Sequence, residues 1–257
     1  MNSSRFAHTF ALACLCLTGS EVIGADEPRP GKQVELEFNA GTDQTGTDQT
    51  IGYLLYLPKD YQKDAADKKW PVIFFLHGRG ESNGPLSLVA KWGPPRMAGR
   101  GDELKYIIVS PQCPREDNWR SDRQQQGLIK LLDHIVGNYA VDTTRIYLTG
   151  LNMGGYGSWK LSASHPERFA AVAPICGGGD PATAETLKHT PLWVFHGDQD
   201  QAVPIARSTE MVEAVKGAGN TDVRYTTLEH VGHNCWSAAY ATPELYQWLA
   251  QQQRTTE

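Results

Sequence analysis

The sequence predicts an α/β domain with a doubly wound, mostly parallel sheet and no large lid, and three observations predict it. Short apolar runs recur with helix-length segments in the gaps, one run is apolar almost throughout, and no shift in composition divides residues 26–257. A continuous apolar run marks a strand buried on both faces, and strand–helix alternation supplies the helices that cover it.

Taken in order, residues 1–25 read as a secretory signal peptide: Arg5 precedes an apolar run from Phe10 to Leu17, and Gly24 and Ala25 offer small residues at the cut. The run is too short to span a bilayer, so a secreted or periplasmic chain is expected. Val34 to Phe38 alternates apolar and acidic residues and Ile51 to Leu57 is rich in Leu and Tyr, so both are expected as edge strands. Between them Gly41-Thr-Asp-Gln-Thr is copied at once as Gly46-Thr-Asp-Gln-Thr50, a polar repeat suited to a hairpin tip.

Trp70 to His77 is the continuous apolar run, and Tyr106–Val109, Ile146–Leu148, Ala170–Ile175, Leu192–Phe195 and Val223–Leu228 are the further strands. Helices are expected near Gln124–Gly137, Met153–Ser164, Ala206–Lys216 and Pro243–Gln251. With no long insertion between strands, the walls of any cleft must come from short loops such as Glu81 to Arg100.

Charge narrows the partners. A net charge of −5 with no basic stripe gives no electrostatic support for nucleic acid or an anionic membrane surface. Of the five cysteines, cleavage of the signal would remove Cys14 and Cys16, leaving Cys113, Cys176 and Cys235, which allow at most one disulfide; buried free thiols are the alternative. Neither a His/Cys/Asp cluster with metal-ligand spacing nor a phosphate-binding glycine loop is visible, so no metal or cofactor is expected.

The most informative stretch runs from Arg145 to Ser158, where an apolar strand ends in small residues and a helix begins. Gly150, Leu151, Asn152, Met153 and Gly154 fit the G-x-S-x-G nucleophile elbow at both glycines, where strand and helix pack too closely for a Cβ. Asn152 stands at the nucleophile position. Asparagine tolerates the positive φ of such a bend, but its carboxamide nitrogen is delocalised into the carbonyl and is barely nucleophilic.

Downstream, His196-Gly-Asp-Gln-Asp200-Gln-Ala-Val-Pro204 ends a strand in a turn with two carboxylates, and His230-Val-Gly-His233 follows the last strand. With Leu76-His-Gly-Arg-Gly-Glu81, Ser110-Pro-Gln-Cys-Pro114 and Pro174-Ile-Cys-Gly-Gly-Gly-Asp180, these motifs make residues 50–250 resemble the esterase branch of the α/β-hydrolase superfamily. The likeness is to secreted phospholipase/carboxylesterase-like, polyester-depolymerase-like and dienelactone-hydrolase-like proteins.

That resemblance implies Asp200 as the acid and His233 as the base at Asn152, with Asp198 and His230 as competitors that fit the family spacing less well. It also implies an oxyanion hole made by the backbone N–H groups of Met153 and Arg79, with His77 supporting the loop. Trp119, Tyr156, Trp236 and Tyr240 flank the motifs as candidate walls of an ester-binding cleft, or else as core packing.

Three readings follow. The chain is an esterase-type hydrolase for a small or polymeric ester whose serine is replaced, or a non-catalytic protein binding an ester, carboxylate or glycan. The third is an enzyme in which Asn152 becomes aspartate and attacks as a carboxylate. The sequence leaves oligomeric state open.

Overall fold

A computed structural model describes residues 27–43, 45–64 and 68–255. The signal-peptide reading of residues 1–25 lies outside them. Among the described residues eight strands form one sheet in the order β1-β2-β4-β3-β5-β6-β7-β8. They are β1 (Gln33–Thr42), β2 (Asp48–Tyr56), β3 (Trp70–Leu76), β4 (Ile107–Pro111), β5 (Val141–Leu151), β6 (Ala171–Ile175), β7 (Leu192–Gly197) and β8 (Val223–Leu228). From β4 through β8 neighbours run parallel, whereas β1–β2 and β2–β4 are antiparallel.

Alternation along β3 shows how the sheet is covered. Val72, Phe74 and Leu76 face one apolar core with α2 (Asp122–Asn138), α3 (Met153–Ser164) and α4 (Ala206–Gly217), while Ile73 and Phe75 face a second. The second core takes α1 (Gly93–Gly99), α5 (Trp236–Ala241) and α6 (Pro243–Gln251). Both faces of the central strand are thus dry, which is why its sequence shows no polar alternation.

Two expectations need correction. β2 is not an edge strand, because it lies between β1 and β4, and its Leu54, Leu55 and Tyr56 are buried. Only β1 is the edge on that side. The loop from Glu81 to Arg100 is partly helical: it holds a 3-10 segment (Leu86–Lys91) and α1, which begins at Gly93 with Pro94 and Pro95 in its first turn. The repeated Gly-Thr-Asp-Gln-Thr segment does lie at the β1–β2 hairpin, where the strands continue to Thr42 and resume at Asp48.

Candidate active site

The carboxyl ends of β3, β5, β6, β7 and β8 meet on one rim, the edge of an open α/β sheet where ligand crevices form. At the end of β5, Asn152 adopts φ 51° and ψ −113° before α3 begins at Met153. Its backbone N–H donates to the Ile175 carbonyl at 3.0 Å, which ties the bend to β6.

Glycine makes that bend possible. A Cβ on Gly155 would lie 2.5 Å from the Ile175 carbonyl oxygen, and one on Gly154 would run into the Leu76 carbonyl. Strand and helix therefore touch through backbone, and the side chain at 152 is held up at the rim.

The Asn152 carboxamide has two partners there. The Arg79 N–H donates to its Oδ1 at 3.2 Å, and its Nδ2 lies 3.0 Å from Nε2 of His233. A backbone N–H can only donate, so the oxygen must face Arg79 and the NH2 group must face the imidazole. His233 then accepts through Nε2 and carries its proton on Nδ1, where it donates to Oδ2 of Asp200 at 2.7 Å.

Asp200 is fully buried at its side chain, and its other oxygen accepts from the N–H groups of Ala202 (2.9 Å) and Val203 (2.8 Å). Burial pushes the Asp200 carboxyl up, but the His233 bond and these two amides outweigh it and hold it below the ordinary carboxylate range. His233 remains partly open, with 27 % of its side chain exposed.

The competing residues stand elsewhere. Asp198 is exposed, and His230 is exposed with its Nδ1 3.3 Å from Nε2 of Gln199. Arg79 is anchored from its far end, where the guanidinium donates to the carbonyls of Arg115 (3.0 Å) and Asp117 (2.7 Å). Met153 opens α3, where a first-turn N–H has no partner within the helix.

His77 is a strut. Its Nε2 accepts from the Cys113 N–H at 2.9 Å, which leaves Nδ1–H to donate to the Gly78 carbonyl at 2.6 Å. Burial lowers its pKa to about 4. The imidazole therefore stays neutral and joins the loop after β3 to the one after β4.

The four aromatic candidates separate. Trp236 is half-buried and meets the His233 ring edge-on at a centroid distance of 5.1 Å; Tyr156 is half-buried under the Arg120 guanidinium. Trp119 is a correction: it is 0 % exposed, its Nε1–H donates to the His77 carbonyl, and its Cβ lies against Gly157 of α3. It packs the core beneath the rim and lines no open cleft. Tyr240 is also buried, with its hydroxyl 3.0 Å from Oγ1 of Thr149, although it borders a cavity between α1, α5 and α6.

Sequence reasoning missed two features of this rim. One is the contact of His196 with Asp200: it opens the Asp200 motif in sequence, but only the fold shows it fully buried beside that carboxylate. The other is a cluster of Cys176, Asp200 and His233 whose donor atoms lie within 4.8 Å of one another. Its residues are far apart in sequence, so no motif spacing reveals it. Burial, with Cys235 alongside, pushes the Cys176 thiol up, so it keeps its proton and is a poor metal ligand. Cys113, Cys176 and Cys235 are all buried free thiols.

Comparison with known proteins agrees with this fold. Residues 113–239 match the model of the Dienelactone hydrolase family. Among curated proteins, poly(3-hydroxyalkanoate) depolymerase C of Paucimonas lemoignei is 23 % identical over 219 residues, 67 % of this chain and 51 % of that protein. The chain thus spans about half the length of that relative. Acyl-protein thioesterase 1 of Gibberella zeae is 25 % identical over 206 residues, 66 % of this chain and 86 % of that protein. A solved thermostable esterase superposes with a TM-score of 0.73 at 33 % identity, covering 86 % of this chain and 63 % of that one.

Proposed function

Since the chain is a member of the α/β-hydrolase superfamily, we propose that it is an esterase-type carboxylic ester hydrolase scaffold with its nucleophile replaced by Asn152. The observation that carries this reading is the double hydrogen bond of that side chain, to the base on one side and to an oxyanion donor on the other.

A serine at this position would present its hydroxyl to Nε2 of His233. The imidazole would take the proton as the oxygen attacks an ester carbonyl, Asp200 would steady the imidazolium, and the N–H groups of Arg79 and Met153 would meet the oxyanion. His233 would then return the proton to the leaving alcohol. Trp236 and Tyr156 would flank the acyl or alcohol group of a small or polymeric ester. With asparagine the base has no acidic hydroxyl to deprotonate, so the chain as it stands is expected to turn over esters very slowly.

The alternative is a non-catalytic protein that holds an ester, carboxylate or glycan in the same cleft. It is favoured by the fact that Asn152 leaves the base neutral and hydrogen-bonded rather than stranded. Any carbonyl entering the hole must first displace Oδ1 of Asn152 from the Arg79 N–H.

Hydrolysis of a chromogenic short-chain ester by the purified chain and by Asn152→Ser separates the readings. Turnover near background in the parent and a gain on the order of 10⁴- to 10⁶-fold in the variant supports the replaced-nucleophile reading. Equal inactivity of both favours binding. Rapid hydrolysis by the parent would instead point to an altered position 152, visible as a +1 Da change in intact mass.

A further inference from the structure

The N–H of Arg79 donates to Oδ1 of Asn152 at 3.2 Å, and on the esterase reading an ester oxygen would take the place of that Oδ1. A donor of this kind aids reaction only if it is held in place before the substrate arrives. The backbone around Arg79 does little to hold itself. Its 3-10 turn spans only Arg79–Glu81, and both bonds that close it are long: 3.2 Å from the Glu81 N–H to the Gly78 carbonyl and 3.3 Å from the Ser82 N–H to the Arg79 carbonyl. Gly80 follows, with the freest backbone of any residue, and a Cβ there would meet nothing within 4 Å. Arg79 itself is exposed, so no core packing pins it.

What stiffens the turn comes from the neighbouring loop, after β4. The Arg79 guanidinium reaches across to it and donates through Nη1 to two carbonyls, of Arg115 at 3.0 Å and Asp117 at 2.7 Å. Gln112 donates through Nε2 to the Glu81 carbonyl at 3.0 Å, and the His77 ring links the Cys113 N–H to the Gly78 carbonyl. These ties reach Gly78, Arg79 and Glu81, and the guanidinium supplies the one that belongs to the residue whose N–H matters.

The receiving segment is itself fixed. The Asp117 N–H donates to the Pro114 carbonyl at 3.2 Å, and Oδ2 of Asp117 accepts from Nε2 of Gln124, on α2, at 2.9 Å. A charged guanidinium makes stronger bonds to carbonyls than a neutral donor does. The tether therefore runs from a loose turn to one moored on a helix.

We propose that the Arg79 side chain is a positioning group: by gripping the Arg115 and Asp117 carbonyls it fixes the direction of its own backbone N–H. The residue has two separable parts. Its main-chain N–H faces the oxyanion, and its side chain sets where that N–H points. The chemical purpose rests on the esterase reading; the mechanical coupling does not.

Two measurements test the proposal, and the first needs no activity. Amide ¹⁵N relaxation of the unmodified chain is expected to give residue 79 an order parameter of about 0.85, and Arg79→Met is expected to lower it to about 0.6 while α3 stays rigid. Arg79→Lys, which keeps a cation but loses the planar fork, is expected to fall between the two. If Arg79→Met does not fold, Asp117→Ala, which frees the receiving turn from Gln124, is expected to give the same drop. An N–H at position 79 that stays as rigid without the tether as with it overturns the proposal.

The second measurement uses the Asn152→Ser background and a neutral short-chain ester. There, Arg79→Met is expected to lower kcat by about 10- to 100-fold and to change KM less than about threefold, because the loosened donor is missed in the transition state rather than in ground-state binding. Adding Asp117→Ala should cost little more, since both changes cut one tether. A raised KM with kcat unchanged would make the guanidinium a substrate-binding group and overturn the proposal, as would full additivity of the two substitutions. Should Asn152→Ser prove inactive, the esterase reading fails, while the order parameters still decide whether the side chain holds the N–H.

Discussion

At the scale of single residues, the rim is built by groups that fix one another's protons. The Arg79 N–H dictates which way the Asn152 amide faces, and that amide dictates which nitrogen of His233 is bare. His77 is fixed in the same manner, with Nε2 accepting from Cys113, and it cannot gain a proton without losing that bond. Its folded pKa of about 4 lies below the ordinary 6.5, so the unfolded chain binds the proton first as pH falls. Stability from this residue is therefore complete above pH 6.5 and drains away down to about pH 4, by roughly 3 kcal/mol in all. Urea unfolding measured across that window should show a steady loss that is clearly shallower in His77→Asn. Parallel slopes in the two proteins would mean that His77 titrates normally. Of the residues at the rim, Asn152, Asp200 and His233 were legible as neighbours through the family resemblance that their motifs carry. His196 was not, because its partners Ser208 and Gly177 lie on other elements and only the fold brings them to it. Trp119 misled for a related reason: its flanking motif reaches the rim, while the indole turns inward to the His77 carbonyl.

At the scale of elements, the β5–α3 junction carries the site, and its tolerance is set by backbone contact. Gly154→Ala would drive a methyl group into the Leu76 carbonyl, which belongs to a central strand and cannot give way. It should cost at least about 3 kcal/mol, read from the urea midpoint. Gly137→Ala, near the end of α2 where a Cβ would meet nothing within 4 Å, should be neutral or stabilising by up to about 1 kcal/mol. Similar midpoints for the two variants would show that the elbow is looser than described. The sequence located several of these elements well: α3, α6 and β8 match their expected spans residue for residue. It was weaker where pattern was local. The Ile51–Leu57 segment looked like an edge from its Leu- and Tyr-rich composition, but its pairing with β4 depends on a non-local register. The short helices α1 and α5 escaped because six or seven residues hold too few turns to show periodicity.

At the scale of the whole molecule, the α/β-hydrolase fold sets Asn152, Asp200 and His233 at the ends of three different strands and closes the rim beneath them with two dry cores. No helix among the described residues is long and apolar enough to cross a membrane. On the proposed reading, the difference from a working esterase is confined to one side chain, at position 152. That claim is tested most directly by treating the parent and Asn152→Ser with a fluorophosphonate and mapping any adduct by peptide mass. The account predicts no label on the parent and one adduct at position 152 of the variant, abolished when His233→Ala is added. Absence of an adduct on a folded Asn152→Ser protein, or labelling that survives loss of His233, would contradict it.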